Sequence, residues 1–411
     1  MSELHGAREA QAEIKVLHVI NQLWGAGAET SLRAFILGSM GGNVRHAVAV
    51  LKPEDNHPEP LRDAGVPVYV PATHGNRRHN VRHVRTAVDD FRPDLLHTSL
   101  YEADLAGRIA AWQTRTPVLT SFVNAAYGSE AAAAEVAHPW KVRAARGLDR
   151  FLARHATTAF HSISAAAATH ANEHLGVATE RIRVVPRGRS REELGRRTQE
   201  RRERVRRHQG WGDAVVVINV ARQEPQKGHI HLIEAFDQVH REVPEARLVL
   251  VGREGRATPA IERSIREYAL EDAVVRLGAR EDVPDLLVGA DLFAFPSLYE
   301  GLGGAVIEAA ALELPVVCSD LPALREVLGE GHPWYVPLSD PGTLADTLLK
   351  PLHDSARAAA VADRALARFE QAFALEAVVD AMLQLYWDVG VALSESPSPG
   401  RSRVPRMAGW P

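Results

Sequence analysis

The sequence predicts an α/β protein of two domains, each a parallel sheet covered by helices. Three observations predict it. Short β-branched runs alternate with helical patterns along the chain, the rhythm of strand, crossover helix and strand. The runs are nearly continuous in apolar character rather than alternating, as strands buried on both faces require. A length of 411 residues is enough for two cores of ordinary size.

In the first half, strands are expected at Lys15–Ile20, Val44–Leu51, Val66–Val70, Asp94–Thr98, Pro117–Phe122 and Thr158–Ser162. Helical patterns such as Glu29–Met40, Asn80–Phe91 and Ala103–Trp112 separate them. The rhythm restarts with strands at Ala214–Val220, Arg247–Val251, Val274–Leu277, Asp291–Phe295, Pro315–Cys318 and Trp334–Val336. These divide the chain into a domain over 1–187, a second over 188–374, and a closing helix over 375–393 that packs back on the first domain. The segment 394–411 is rich in Ser, Pro, Arg and Gly and reads as a disordered tail. Arginine is dense and apolar residues are few over Arg181–Arg207. That run reads as a solvated linker with a surface helix, or as a basic face for an anionic membrane or acceptor.

A net charge of −4 and a pI near 6.6 give no sign of a nucleic-acid partner. Cys318 is the only cysteine, so no intramolecular disulfide can form and a reducing compartment suits the chain. The first residues lack the apolar stretch of a signal peptide, and no run approaches the roughly 18 apolar residues of a spanning helix. A cytoplasmic protein with at most peripheral membrane contact is expected. The stretch Ser129–His155 carries Arg143, Arg146, Arg150 and Arg154 beside Trp140 and Phe151. It fits either a packed helix or one lying on an anionic bilayer.

Ligands of open parallel sheets bind at the carboxyl ends of the strands, so the loops there matter most. After the first strand comes N-Q-L-W-G-A-G-A-E-T, where Gly25 and Gly27 precede a helix and allow a backbone approach to a phosphate or sugar. After the first strand of the second half comes A-R-Q-E-P-Q-K-G-H. Arg222 and Lys227, five positions apart, can converge on one diphosphate, the guanidinium as a fork and the ammonium as a point charge. The segment P-S-L-Y-E-G-L-G-G-A-V-I-E-A then places Glu300 before, and Glu308 inside, a helix that begins near Gly303. Such a helix start, with amides at Leu302, Gly303 and Gly304 and no bulky side chains, is an anion site. The two carboxylates can accept hydrogen bonds from sugar hydroxyls on either side of a bound phosphate.

Taken together, these motifs resemble the retaining glycosyltransferases of family 4, over essentially the whole chain up to about Ala392. The resemblance implies the GT-B architecture, two facing Rossmann-like domains with the active site in the interdomain cleft. It implies a nucleotide-sugar donor, UDP-sugar favoured, and a saccharide, lipid-linked or small-molecule hydroxyl acceptor. No metal or other cofactor is implied, and the chain has no Asp-x-Asp at a strand end. It implies that Arg222 and Lys227 hold the diphosphate, Glu308 the ribose hydroxyls and Glu300 the hydroxyls of the transferred sugar. Gly27 would face the donor, and the loop Leu277–Arg280 would read the base through its backbone. The chain departs from the family pattern in two places. It reads T-S-F-V-N-A-A-Y-G where many relatives carry a histidine, leaving Asn124 as the polar substitute, and Pro186-Arg187-Gly188 replaces Pro-Asn-Gly. His97, at a strand end, is a candidate on the acceptor side or a histidine satisfied in the interior. His229 and His231 read as surface residues at a helix start. A sugar-nucleotide epimerase, or a non-catalytic binding protein on the same fold, is the rival reading.

Overall fold

The computed structural model describes residues 13–23, 27–54, 56–123 and 139–394. Gly25, Asn124 and the tail beyond 394 lie outside them, as does the first part of the alanine-rich stretch. The chain forms two compact units, one from Met1–Gly188 with Leu375–Pro411 and the other from Arg189–Ala374.

The first unit is built on a seven-stranded sheet, parallel throughout. Its strands are β1 (Ile14–Ile20), β2 (Val44–Val50), β3 (Val68–Tyr69), β4 (Leu95–Ser99), β5 (Val118–Phe122), β6 (Ala159–Ser162) and β7 (Ile182–Val184). Their order is β3-β2-β1-β4-β5-β6-β7. The helix Leu375–Ser394 belongs here, burying Leu375, Val378, Met382 and Tyr386 against Ile14, Phe35 and Ile36. Gly188 has to be glycine for this seat, because a Cβ there would stand 2.8 Å from the Leu375 Cα.

The second unit holds a six-stranded parallel sheet of β8 (Val215–Val220), β9 (Ala246–Val251), β10 (Val274–Gly278), β11 (Leu292–Phe295), β12 (Val316–Ser319) and β13 (Tyr335–Val336), ordered β10-β9-β8-β11-β12-β13. Phe236, Leu248, Ile261 and Trp334 are almost completely buried in its core. Each such side chain contributes about 2–3 kcal/mol relative to exposure. In both sheets the strand order reverses beside the first strand, between β1 and β4 and between β8 and β11. The crevice of a doubly wound sheet opens at that point, beyond the carboxyl ends of the strands.

The arginine-rich run Arg181–Arg207 does end in a surface helix, but several of its arginines are engaged rather than solvated. Its first residues form β7, an edge strand of three residues that pairs with β6. From Arg189 on, the run belongs to the second unit. Thr198 caps the helix Gln199–Gln209 by accepting from the Arg201 amide. Arg201 donates to Asp285 at 2.6 Å, and Arg202 and Arg206 both reach Asp291, at 2.5 and 3.2 Å. The guanidiniums of Arg201, Arg202 and Arg206 thus fasten the helix to carboxylates far away in sequence, while Arg204 and Arg207 stay exposed.

Candidate functional site

The site is built from the loops that follow β8 and β11. The β8 loop is braced from below, since the Ala221 amide donates to the Val251 carbonyl at 2.8 Å and Gln223 accepts from Thr258 Oγ1 at 2.7 Å. Gly252 must lack a side chain here, because its Cβ would fall 2.0 Å from the Ala221 carbonyl oxygen. A short 3-10 turn, Pro225–Lys227, leads to Gly228 at φ +67°. A Cβ on Gly228 would meet the Pro296 carbonyl oxygen at 2.1 Å. Only glycine satisfies both the left-handed backbone and that contact.

The two loops are laced together. The Leu298 amide donates to the Gln226 carbonyl at 2.8 Å, and Gln226 Nε2 donates to the Tyr299 carbonyl at 3.0 Å. That lacing sets Lys227 Nζ 2.5 Å from Glu300 Oε1 and 5.3 Å from the centre of the Phe295 ring. Both partners of this ion pair are largely buried, with side chains 13% and 9% exposed. Arg222, in contrast, is exposed, and its guanidinium makes no hydrogen bond or ion pair among the described residues.

The helix Gly304–Ala311 starts after Gly303 at φ +88°, and no side chain caps it. The Val306 amide turns back to the Gly303 carbonyl at 2.9 Å, while those of Gly304 and Ala305 have no side-chain cap, the setting in which helix starts take anions. Leu302 is buried, while Gly304 and Glu308 are half-buried. Arg189 Nε donates to Glu308 Oε1 at 2.6 Å, and its terminal nitrogen would stand 2.5 Å from a Cβ on Gly304. The sequence reading gave this arginine no role; its signal was the second arginine of Val184–Arg189, two positions beyond Arg187. Arg280 is engaged locally, forking onto Asp282 at 2.7 and 2.6 Å. That fork holds the Asp282 carboxyl below its ordinary range. What the loop after β10 can offer a ligand is therefore its backbone.

In the first unit, Gly27 opens the helix Gly27–Gly38, and a Cβ there would meet nothing within 4 Å. His97 is an interior residue. Its Nδ1 lies 2.7 Å from Tyr386 Oη and its Nε2 2.5 Å from Ser121 Oγ, so both ring nitrogens are engaged within the unit. It belongs to a row that crosses the sheet. His18 bonds to His46, His46 to Ser39, and Ser121 to His161, whose Nε2 meets the Val185 carbonyl. Burial is the main cause lowering all four histidines below their ordinary pKa, His46 and His161 to about 4. His229 is also buried, not a surface residue, and desolvation with nearby Lys227 lowers it to about 4. Only His231 stays half-exposed at that helix start. Among the described residues no helix is long and apolar enough to cross a membrane.

Comparison with known proteins agrees with this architecture. Residues 26–188 match the model of the glycosyl transferase 4-like domain, and residues 214–354 match that of glycosyl transferases group 1. The chain is 25% identical over 269 residues to the alpha-D-kanosaminyltransferase of Streptomyces kanamyceticus, covering 59% of this chain and 69% of that protein. It is 36% identical over 108 residues to an uncharacterised glycosyltransferase of Methanocaldococcus jannaschii, spanning 26% of each chain. Among solved structures, Anabaena HepE in complex with UDP-glucose superposes with a TM-score of 0.79 at 21% identity, covering 92% of this chain and all of that one. Sucrose-phosphate synthase from Thermosynechococcus elongatus gives 0.75 at 20% identity, covering 92% of this chain and all of that one. With two parallel-sheet units, a GT-B fold and family matches over most of its length, the chain belongs to the family-4, group 1 type glycosyltransferases.

Proposed function

We propose that this protein moves a sugar from a nucleoside-diphosphate sugar to a hydroxyl acceptor, with retention of configuration and without a metal. The observation that carries the reading is the lacing of the β8 and β11 loops, which sets Lys227 against Glu300 beside an uncapped helix that bears Glu308. Arg222 and Lys227 take the diphosphate, helped by the amides around Leu302–Gly304. Glu308 accepts from the ribose hydroxyls and Glu300 from those of the transferred sugar. The ion pair keeps Lys227 and Glu300 in position before the donor arrives. When it arrives, the ammonium turns its remaining donors to the phosphate.

In the reaction, the bond between the anomeric carbon and the diphosphate oxygen breaks as the acceptor oxygen attacks from the same face. The acceptor proton passes to the departing phosphate oxygen. Protein cations and helix amides stabilise the charge that builds on that oxygen, the task a divalent ion performs elsewhere. UDP is the favoured base, in keeping with the UDP-glucose complex of the similar Anabaena protein. The acceptor is a saccharide, lipid-linked or small-molecule hydroxyl, consistent with the range of relatives, and Gly27 and its neighbours face the donor from the first unit. A cytoplasmic location with peripheral membrane contact completes the reading. Exposed Phe151 and Leu148 beside Arg150 and Arg154 on the helix Pro139–His155 support that contact.

A transfer assay with a UDP-sugar panel tests the proposal. Arg222→Ala and Lys227→Ala should each lose about 2–4 kcal/mol of transition-state stabilisation. Excess EDTA should leave the initial rate unchanged. Near-normal turnover in both variants removes the phosphate clamp. Loss of activity on chelation, with recovery on adding magnesium, contradicts the metal-free mechanism. Free sugar formed as product without an acceptor would favour an isomerase instead.

A further inference from the structure

We propose that Arg189 is a positioning residue of the donor site, holding the Glu308 carboxylate by one oxygen and leaving the other to accept from a vicinal diol. The inference rests on the donor reading above. Arg189 is the first residue of the second unit, and its backbone is pinned there. Its amide donates to the Phe373 carbonyl at 2.9 Å, and it bridges to Ala374 in parallel register. The side chain is 10% exposed and the Glu308 side chain 21%. The backbone anchor therefore sets where the guanidinium can reach.

A charge-assisted contact of 2.6 Å orients a carboxylate more strongly than neutral hydrogen bonds would. Only Oε1 takes part, and among the described residues Oε2 of Glu308 receives no hydrogen bond. A glutamate halfway along a short helix has three rotatable bonds, and an unbraced carboxylate would sample several rotamers. The clamp removes that freedom before a ligand binds, which lowers the ordering cost on association. Gly304 completes the arrangement, because any Cβ there would push into the Arg189 terminal nitrogen. A half-buried ion pair is weak as a source of stability, so its value lies in fixing one geometry.

Calorimetry with UDP and with its 2′,3′-dideoxy analogue tests this in the full chain. Arg189→Ala should weaken UDP binding about tenfold, the scale of one charge-assisted contact, and weaken the dideoxy analogue by less than about twofold. In a Glu308→Ala background, Arg189→Ala should have almost no further effect, and Arg189→Lys should recover part of the loss. Melting temperatures taken alongside separate positioning from folding. Equal losses for both ligands, or additive losses in the double variant, overturn the proposal, because Arg189 would then act on the phosphate or on the fold. Unchanged UDP binding in Arg189→Ala, while Glu308→Ala is weakened, overturns it and leaves the donor reading standing. A wild-type chain that binds none of UDP, GDP or ADP overturns the donor reading and this inference together.

Discussion

The two sheets share a strand order but place their polar side chains differently. In the first, a row of histidines and hydroxyls runs across buried strands, and its hydrogen bonds close on one another and on Tyr386. In the second, strand interiors are mostly apolar, and the charges gather beyond the strand ends, Arg222, Lys227 and Glu300 in loops and Glu308 in the helix that follows. A closed polar network has nothing left to offer a ligand, whereas strand-end charges with one exposed cation do. The contrast separates residues that hold the fold from residues that act, though both sets look equally chemical in the sequence.

Acid should break the comparison most strongly. The row histidines are neutral in the folded chain, so their contribution is complete above their ordinary value near 6.5. As pH falls from there to about 4, the unfolded chain takes up protons that the folded chain refuses, and stability is lost. His46 and His161, both displaced to about 4, should each cost on the order of 3 kcal/mol by the bottom of that window. His18 and His97 act in the same direction. In the second unit His229 and His332 are lowered likewise, and in the first Asp104, raised to about 7 by burial, offsets part of the loss. Hydrogen exchange at pH 7 and pH 5 should therefore show β1, β2, β4 and β6 losing protection before β8 and β11. The reverse order would mean that the row is not what makes the first unit acid-sensitive.

The next largest effect should come from separating charge from packing at the ion pair. Lys227→Ala leaves Glu300 buried without its partner, so melting should fall along with turnover. The pair Lys227→Met with Glu300→Gln should recover most of the melting temperature and none of the turnover. Recovery of turnover in that pair would show that the two charges are structural.

Two glycines sharpen the comparison at smaller scale. Gly228→Ala combines a left-handed backbone with a contact at 2.1 Å and should cost about 3 kcal/mol in the second unit. Gly27→Ala, in open space at a helix start, should change stability by less than about 0.5 kcal/mol. If Gly27 faces the donor, that variant should still slow transfer. Urea unfolding with a parallel rate assay distinguishes a glycine needed by the fold from one needed by a ligand.

Much of this was legible in the sequence, and what was not has physical causes. Long apolar runs such as Val215–Val220 and Ala246–Val251 declare themselves because both faces are buried. β7 did not, since three residues between arginines carry no periodicity and gain their place only by pairing with β6. The arginine run looked solvated because its partners, Asp285, Asp291 and Glu313, lie some 84 to 122 residues away. His229 looked exposed because a helix start gives no hint that its side chain will be buried. The spacing from Glu300 to Glu308 and from Arg222 to Lys227 was visible from the start. Arg189 was not, because its role depends on a contact with Glu308 across 119 residues.

The central claim is that the loops after β8 and β11 of the second unit hold the nucleoside diphosphate, and thermal unfolding with ligand tests it most directly. At a UDP concentration about a hundredfold above its dissociation constant, the stabilisation of about 2.7 kcal/mol should raise the second unit's transition by about 5–10 °C. The first unit's transition should stay in place, and the shift should largely vanish in Arg222→Ala and Lys227→Ala at the same ligand concentration. No shift with UDP, GDP or ADP, or a full shift that survives both substitutions, would contradict the account.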